Sequence, residues 1–335
     1  MLGRMPKTEM QPRTAHDRGL LGAIGQTPLV DLSSGFRNVE RSAVSQVWGK
    51  LESFNPGGSA KDRTARALVA DATERGVLYP GAVAVESSSG NLGVALAREA
   101  VIGGWDFHCV VDQRTNAATL AMIKALGATV HSVTQPDPET GDWLAARRKK
   151  VAALKSELNA VNLDQYSNQA AFNAHDEGTM AEIVAQLGHA PKILVVAVST
   201  TGTVGGCLRH IKDHGYDTHV VAVDAEGSVL FDGARGERVL PGYGAGVVPE
   251  LSRSVSPDRV VRVAASDAVA AARRLARGSG FVAGASGGAV AYATETLLEE
   301  GEIGDIVAMF HDDGRAYLDT VYNDSWVSDT LGLEV

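Results

Sequence analysis

The sequence predicts an α/β fold built from two doubly wound units. Short runs rich in Val, Ala and Ile alternate with helical segments from Thr27 onward. These runs are continuously apolar rather than alternating, as suits parallel strands covered on both faces. The 335 residues suffice for two cores, at ~100–200 residues per domain.

Taken in order, the expected strands are AVAVE (82–86), DFHCVVD (106–112), ATVHSVT (128–134), ILVVAVS (193–199), HVVAVDA (219–225) and DIVAMFHD (305–312). Helical patterns lie between them at GVALAREAVIG (93–103), ATLAMIKALG (118–127), GTMAEIVAQLG (178–188) and AVAYATETLLEEG (289–301). A further helix starts near Ser59, read as its N-cap, with Asp62 in the capping-box position and a stop at Gly76. That places Lys61 in the first turn, at the positive end of the helix dipole, where a cation is disfavoured. TQPDPETGD (134–142) is a turn-rich interruption, and NLDQYSNQAAFNAHDEG (162–178) reads as a crossing between domains.

Composition narrows the function classes. A chain that is 44% hydrophobic and 21% charged is ordinary for a soluble globular protein. The net charge of -9 argues against a nucleic-acid surface. The one basic run, Arg147 to Lys150, reads as a solvated helix face. Cys109 and Cys207 have no Cys-x-x-Cys spacing, so neither a zinc site nor a disulfide is expected and a reducing, cytoplasmic setting fits. No apolar run approaches the ~18 residues of a membrane span, and residues 1–18 lack a signal-peptide core and read as a flexible tail.

Chemistry concentrates in three glycine-rich loops at helix starts: SSSGNLG (87–93), STTGTVGG (199–206) and FVAGASGG (281–288). Each offers free backbone N–H groups, hydroxyls and a helix N-terminus, the means of holding an anion. A Walker A loop is absent, and GYGAG (242–246) runs into VVPE, whose proline suits a loop rather than a dinucleotide-binding helix.

Together these pieces resemble the fold-type II pyridoxal-phosphate enzymes (tryptophan synthase β-like), the group containing cysteine synthase and cystathionine β-synthase. IGQTPLVDL (24–32) is similar to the opening strand signature, and NPGGSAKDR (55–63) to the motif whose lysine binds the cofactor aldehyde. The resemblance implies two doubly wound domains with pyridoxal 5'-phosphate between them. The larger would take 19–55 and 163–335, and a smaller, mobile substrate domain 56–162. Lys61 would be the catalytic residue. Asn91 would meet the ring hydroxyl, Ser199, Thr200, Thr201, Gly202 and Thr203 the phosphate, and Ser286 the ring nitrogen. Ser87, Ser88, Ser89, Gly90 and Asn91 would hold the substrate carboxylate, with Gln165 and Tyr166 beside it. A homodimer acting on small amino-acid substrates is expected, without metal, nucleic acid or membrane. In this light the helix N-terminus favours the free-amine form of Lys61, the form that attacks an aldehyde.

A neutral hydroxyl opposite the ring nitrogen favours β-elimination over long-lived carbanion chemistry, so β-replacement is the expected reaction, with Lys61 as general base. Ser88 and Leu92 stand where ordinary cysteine synthases carry threonines, and Ser199 and Thr201 where they carry glycines. VAVDAEGSVLF (221–231), LPGYGAGVVPE (240–250) and YLDTVYNDSW (317–326) resemble the branch that joins O-phospho-L-serine to L-glutamate, on the way to L-2,3-diaminopropionate for siderophores and nonribosomal peptides. Arg147, Tyr166 and Ser199 are candidates for the anion pocket such substrates need. Arg114 and His175 are further candidates, for which a loop arginine and a satisfied core histidine are the plainer readings. A cysteine or S-sulfocysteine synthase, or a non-catalytic scaffold of the same fold, stays open at this point.

Overall fold

The computed structural model describes residues 19–36 and 45–333. The expected tail at 1–18 lies outside the described residues. The first half of the chain runs β1 (Leu29–Asp31), β2 (Ser45–Leu51), α1 (Lys61–Glu74), β3 (Val83–Ser87), α2 (Asn91–Gly103), β4 (Asp106–Asp112), α3 (Ala117–Ala125), β5 (Thr129–Val133), α4 (Trp143–Glu157) and β6 (Val161–Asn162). Then follow α5 (Ala170–Asn173), a π-helical turn (Ala174–Met180), α6 (Ala181–Leu187), β7 (Ile193–Ala197), α7 (Gly202–His214), β8 (His219–Ala225), β9 (Arg259–Val263), α8 (Ala265–Ser279), α9 (Ala285–Glu299), β10 (Gly304–Phe310) and α10 (Asp324–Leu331).

These strands form two sheets. One has the order β1-β2-β10-β7-β8-β9, the other β5-β4-β3-β6. All pairings are parallel except β1 with β2. β7 shows why the continuous apolar run was informative. Ile193, Val195 and Ala197 pack into the core beneath α8 and α9, while Leu194, Val196 and Val198 pack into the core on the α7 side. β5 differs from the expectation of two covered faces, because it is an edge strand and only partly buried. β2 and β9 were not foreseen. Lys50 in one and Arg259 and Arg262 in the other interrupt the apolar signal.

The start of α1 also departs from expectation. Its N-cap is Ala60, with no side-chain cap bond. The Ser59 hydroxyl accepts from Lys61 N–H at 3.2 Å. Asp62 instead accepts from Gly57 N–H at 2.7 Å and from Arg98 at 3.0 Å, because a buried carboxylate gains more from a guanidinium than from its own helix end. The stop is as expected, with Gly76 at φ +69°.

In doubly wound sheets the crevice forms where strand order reverses, beyond the carboxyl ends. In the larger sheet that point lies between β7 and β10, and in the smaller between β3 and β6. α1 bridges the two cores, since Ala60 belongs to the core beside α7 while Ala65, Leu68 and Ala72 pack with α2 under the small sheet. Lys61 therefore sits at the seam. Among the described residues no helix is long and apolar enough to cross a membrane.

Candidate active site

The loops leaving β3, β6, β7 and β10 meet at this seam. They carry Ser87–Asn91, Gln165 with Tyr166, Ser199–Thr203, and His311 with Asp312.

Lys61 is half-buried, and burial alone lowers its pKa to about 8, with no hydrogen bond or ion pair from the described residues holding its ammonium. Two imidazoles share its surroundings. Burial, reinforced by nearby cations, holds His175 well below the usual histidine range. His311 is lowered to about 4 by burial and then by Lys61. His175 is a fully satisfied core histidine: Nε2 lies 3.2 Å from Thr64 Oγ1 and 3.3 Å from Thr203 Oγ1, and Nδ1 lies 2.9 Å from Thr179 Oγ1. It ties the helix of Lys61 to the start of α7.

The 199–203 loop ends in a helix N-terminus without a side-chain cap. By contrast, Asn116, Asp142 and Asn323 cap α3, α4 and α10. The first-turn N–H groups of α7 therefore remain available to an anion. Thr201 precedes that turn at φ +66°, a conformation costly for a β-branched residue, and its hydroxyl donates to Thr200 O at 2.6 Å. The Ser199 hydroxyl is committed to Gly244 O at 3.0 Å.

Gly90 N-caps α2, and α2 likewise lacks a side-chain cap. Ser88 Oγ accepts from Gly93 N–H at 2.8 Å, which folds the loop back on itself. The Ser87 hydroxyl is buried without a partner among the described residues. Gln165 donates to Ser87 O at 3.2 Å. Tyr166 joins Ser87 and Glu86 in lining a cavity of ≈ 190 Å³, and burial pushes its phenol up to about 12.

The basic run splits. Arg148, Lys149 and Lys150 are exposed, but Arg147 turns inward and is only 8% exposed. Its Nη1 donates to Ser89 Oγ at 3.0 Å, and Nε lies 3.5 Å from Asp112 Oδ2 without making a hydrogen bond. The solvated-face reading thus fails for Arg147 alone, because a buried carboxylate and the β3 loop face it. Arg114 is mostly exposed, pairs with the same Asp112 at 3.1 Å and covers the Trp143 ring.

Three site residues are absent from the sequence expectations: His311, Asp312 and Tyr317. Asn91 Nδ2 donates to Asp312 Oδ2 at 2.8 Å, and Tyr317 donates to the same oxygen at 2.9 Å. Tyr317 and the buried Ser286 flank Gly242. The expected strand at 305–312 ran through Asp312, yet β10 ends at Phe310. Its place just past a strand's carboxyl end was the signal available.

Comparison with known proteins gives the family and the fold. Residues 20–312 match the family described as pyridoxal-phosphate dependent enzyme. The chain is 39% identical over 314 residues to N-(2-amino-2-carboxyethyl)-L-glutamate synthase of Cupriavidus metallidurans, covering 92% of this chain and 91% of the relative. It is also 39% identical to the protein of that name from Ralstonia nicotianae, over 93% of this chain and 91% of the relative. Among solved structures, O-ureido-L-serine synthase with bound O-ureido-L-serine is 30% identical with a TM-score of 0.82, covering 95% of this chain and 99% of that one. The O-acetylserine dependent cystathionine β-synthase from Helicobacter pylori is 25% identical with a TM-score of 0.81, over 90% of this chain and 97% of that one. The chain belongs to the pyridoxal-phosphate dependent enzyme family.

Proposed function

We propose that this enzyme performs β-replacement on O-phospho-L-serine with L-glutamate as the amine nucleophile, giving N-(2-amino-2-carboxyethyl)-L-glutamate and phosphate for diaminopropionate production. The observation that carries this is the likeness, over nine-tenths of both chains, to two relatives named for that product.

The residues present fit the family's cofactor by their chemistry. Lys61 offers a depressed, unpartnered amine for the aldehyde. The uncapped start of α7, with Thr200 and Thr203, offers donors for a phosphate. Asn91 offers an amide for the ring hydroxyl, and the buried Ser286 a neutral hydroxyl for the ring nitrogen. When bound, pyridoxal phosphate supplies an aldehyde for the substrate amine and an electron-withdrawing ring that makes the α-proton removable. Lys61, neutral at working pH in a larger fraction than an ordinary lysine, takes that proton. The Cβ–O bond to phosphate breaks, the glutamate nitrogen forms the new bond to Cβ and gives up a proton, and Lys61 returns to Cα the proton it took.

Anion recognition suits both substrates. The chain's net charge is -9, yet Arg114 and Arg147 share one carboxylate, Asp112, at the seam. Two guanidiniums against one carboxylate leave positive charge for a phosphate or a second carboxylate. The reading includes division into a larger cofactor unit and a smaller substrate unit closing at the seam, in a cytoplasmic homodimer. Buried, free Cys109 and Cys207 suit that reducing setting.

The test is phosphate release from O-phosphoserine, with mass detection of the product. Release that depends on glutamate supports the reading. Product formed only with sulfide or thiosulfate moves the enzyme to the cysteine-synthase alternative, and no turnover of any serine ester leaves a scaffold. Arg147→Gln should lower kcat/KM about 10- to 100-fold, mainly through KM, because a charge-assisted contact is lost. Unchanged KM for both substrates would remove Arg147 from the pocket.

A further inference from the structure

β10 is an interior strand of the larger sheet, paired with β2 on one side and β7 on the other, and the residues after it do not continue along those neighbours. They are stitched to two other segments instead. His311 O accepts from Ala60 N–H at 2.8 Å, and Asp312 bridges Ser59, immediately before Lys61. Asp313 bridges Ala283, and Gly314 N–H donates to Val282 O at 2.8 Å, immediately before α9 and Ser286. Asp312 is thereby held between the turn that presents Lys61 and the turn that presents Ser286.

Its side chain is 6% exposed. Both hydrogen bonds it receives, from Asn91 and Tyr317, converge on Oδ2, while Oδ1 is buried without a partner among the described residues. The backbone closes against that bare oxygen, for a Cβ on Gly284 would lie 2.0 Å from Oδ1. Only glycine fits there. A buried carboxyl with half its acceptor capacity unused is a poor structural device, since a serine or asparagine would accept the same bonds at lower desolvation cost. What a carboxylate does better is to dictate orientation. It can only accept, so an amide facing it must present Nδ2 and point its carbonyl oxygen elsewhere. Asn91 opens α2 on the small-sheet side, whereas Asp312 and Tyr317 follow β10 of the large sheet, so the bond spans the seam.

We propose that Asp312 is a positioning residue that, together with Tyr317, fixes the Asn91 amide across the seam in the orientation from which it meets the cofactor's ring hydroxyl. This rests on the reading of Asn91 given above. The second Nδ2 hydrogen, left free by Asp312, is the donor so aimed.

The experiment is a double-mutant cycle in the full chain, read by titrating apoprotein with pyridoxal phosphate. Asp312→Ala and Asn91→Ala should each raise Kd about tenfold, as loss of one charge-assisted hydrogen bond does. The double variant should be no worse than about threefold beyond either single one, because the two act as a unit. The long-wavelength absorption band of the loaded protein should move in the same direction in both single variants. A merely structural role would lower the melting temperature, leave the band in place and give additive losses, and that result overturns the inference. Should Asp312→Ala fail to fold, Asp312→Asn replaces it. It should show a smaller band shift of the same sign, and an unmoved band again overturns the inference. If the wild-type apoprotein binds no pyridoxal phosphate, the functional reading itself falls. If the wild type binds and Asp312→Ala matches it in Kd and band, only the role of Asp312 does.

Discussion

Lys61→Met should give a colourless, inactive protein whose apo form melts higher than the wild-type apoprotein at neutral pH. The two effects share one cause. The Lys61 amine has a pKa of about 8 in the fold against 10.5 for an ordinary lysine, and burial is the reason. Between these values the unfolded chain binds more protons than the folded one, so folding stability rises with pH across that window. Below pH 8 both states are protonated, and the fold carries the full cost of a desolvated ammonium, at most about 3 kcal/mol because the residue is only half-buried. Methionine of similar length removes that cost and leaves the packing alone. A gain of a few degrees is expected in scanning calorimetry at pH 7, shrinking as pH approaches 10.5. A lower melting temperature at pH 7, or a difference that widens with pH, would contradict the assignment. Loss of general base and cofactor capture together should cost turnover at least ~10⁴-fold. Such a site is less stable than the fold allows, as sites under functional demand often are.

Much of this was legible in the chain because the strands that bear the site are covered on both faces. β4 and β8 fall on the expected residues 106–112 and 219–225. The glycine loops were legible because backbone donors at a helix start require small residues whatever the tertiary context. What stayed hidden was decided by partners distant in sequence. Arg147 looked like its neighbours Arg148 and Lys149, and only Ser89 and Asp112, from two other strand ends, draw it inward. Asp62 read as a cap until Arg98 competed for it. β2 was missed for the same reason, since Lys50 reads as solvent-exposed although it is 0% exposed. Asp312 read as the end of a strand, and its function depends on Asn91, 221 residues away.

The Lys50 that obscured β2 belongs to the network with the largest expected effect on stability. Arg63, two residues after Lys61, donates through Nε to Glu52 at 2.6 Å and through Nη1 to Glu182 at 2.7 Å. Lys50 pairs with Glu182 at 2.8 Å and donates to Thr27 O and to Gln186. Thr27 and Asn55 complete the shell around Glu52. Two cations and two carboxylates thus balance in the interior, linking β2, α1 and α6. Burial pushes both carboxyls up, but the combined pull of Arg63 and Lys50 outweighs it and leaves each below the ordinary 4.5. With depressed folded pKa values, their contribution is present above the unfolded pKa and is lost as pH falls through the folded one. Arg63→Met leaves the buried Glu52 without its ion-pair partner and Glu182 with Lys50 alone, and should cost about 3–5 kcal/mol at pH 7 in denaturant unfolding. In that variant the sign inverts. Without the guanidinium, burial and the neighbouring Glu182 raise the Glu52 carboxyl while Lys50 still holds Glu182, so acidification neutralises the strain at Glu52 and the deficit against wild type should narrow between pH 7 and about 4.5. A deficit below about 1 kcal/mol at pH 7, or one that grows with acid, would show that Arg63 does not hold these charges. Because the same residue anchors the first turn of α1, the variant should also bind pyridoxal phosphate more weakly. Its Lys61 would then begin a helix whose first turn is no longer pinned to the large sheet.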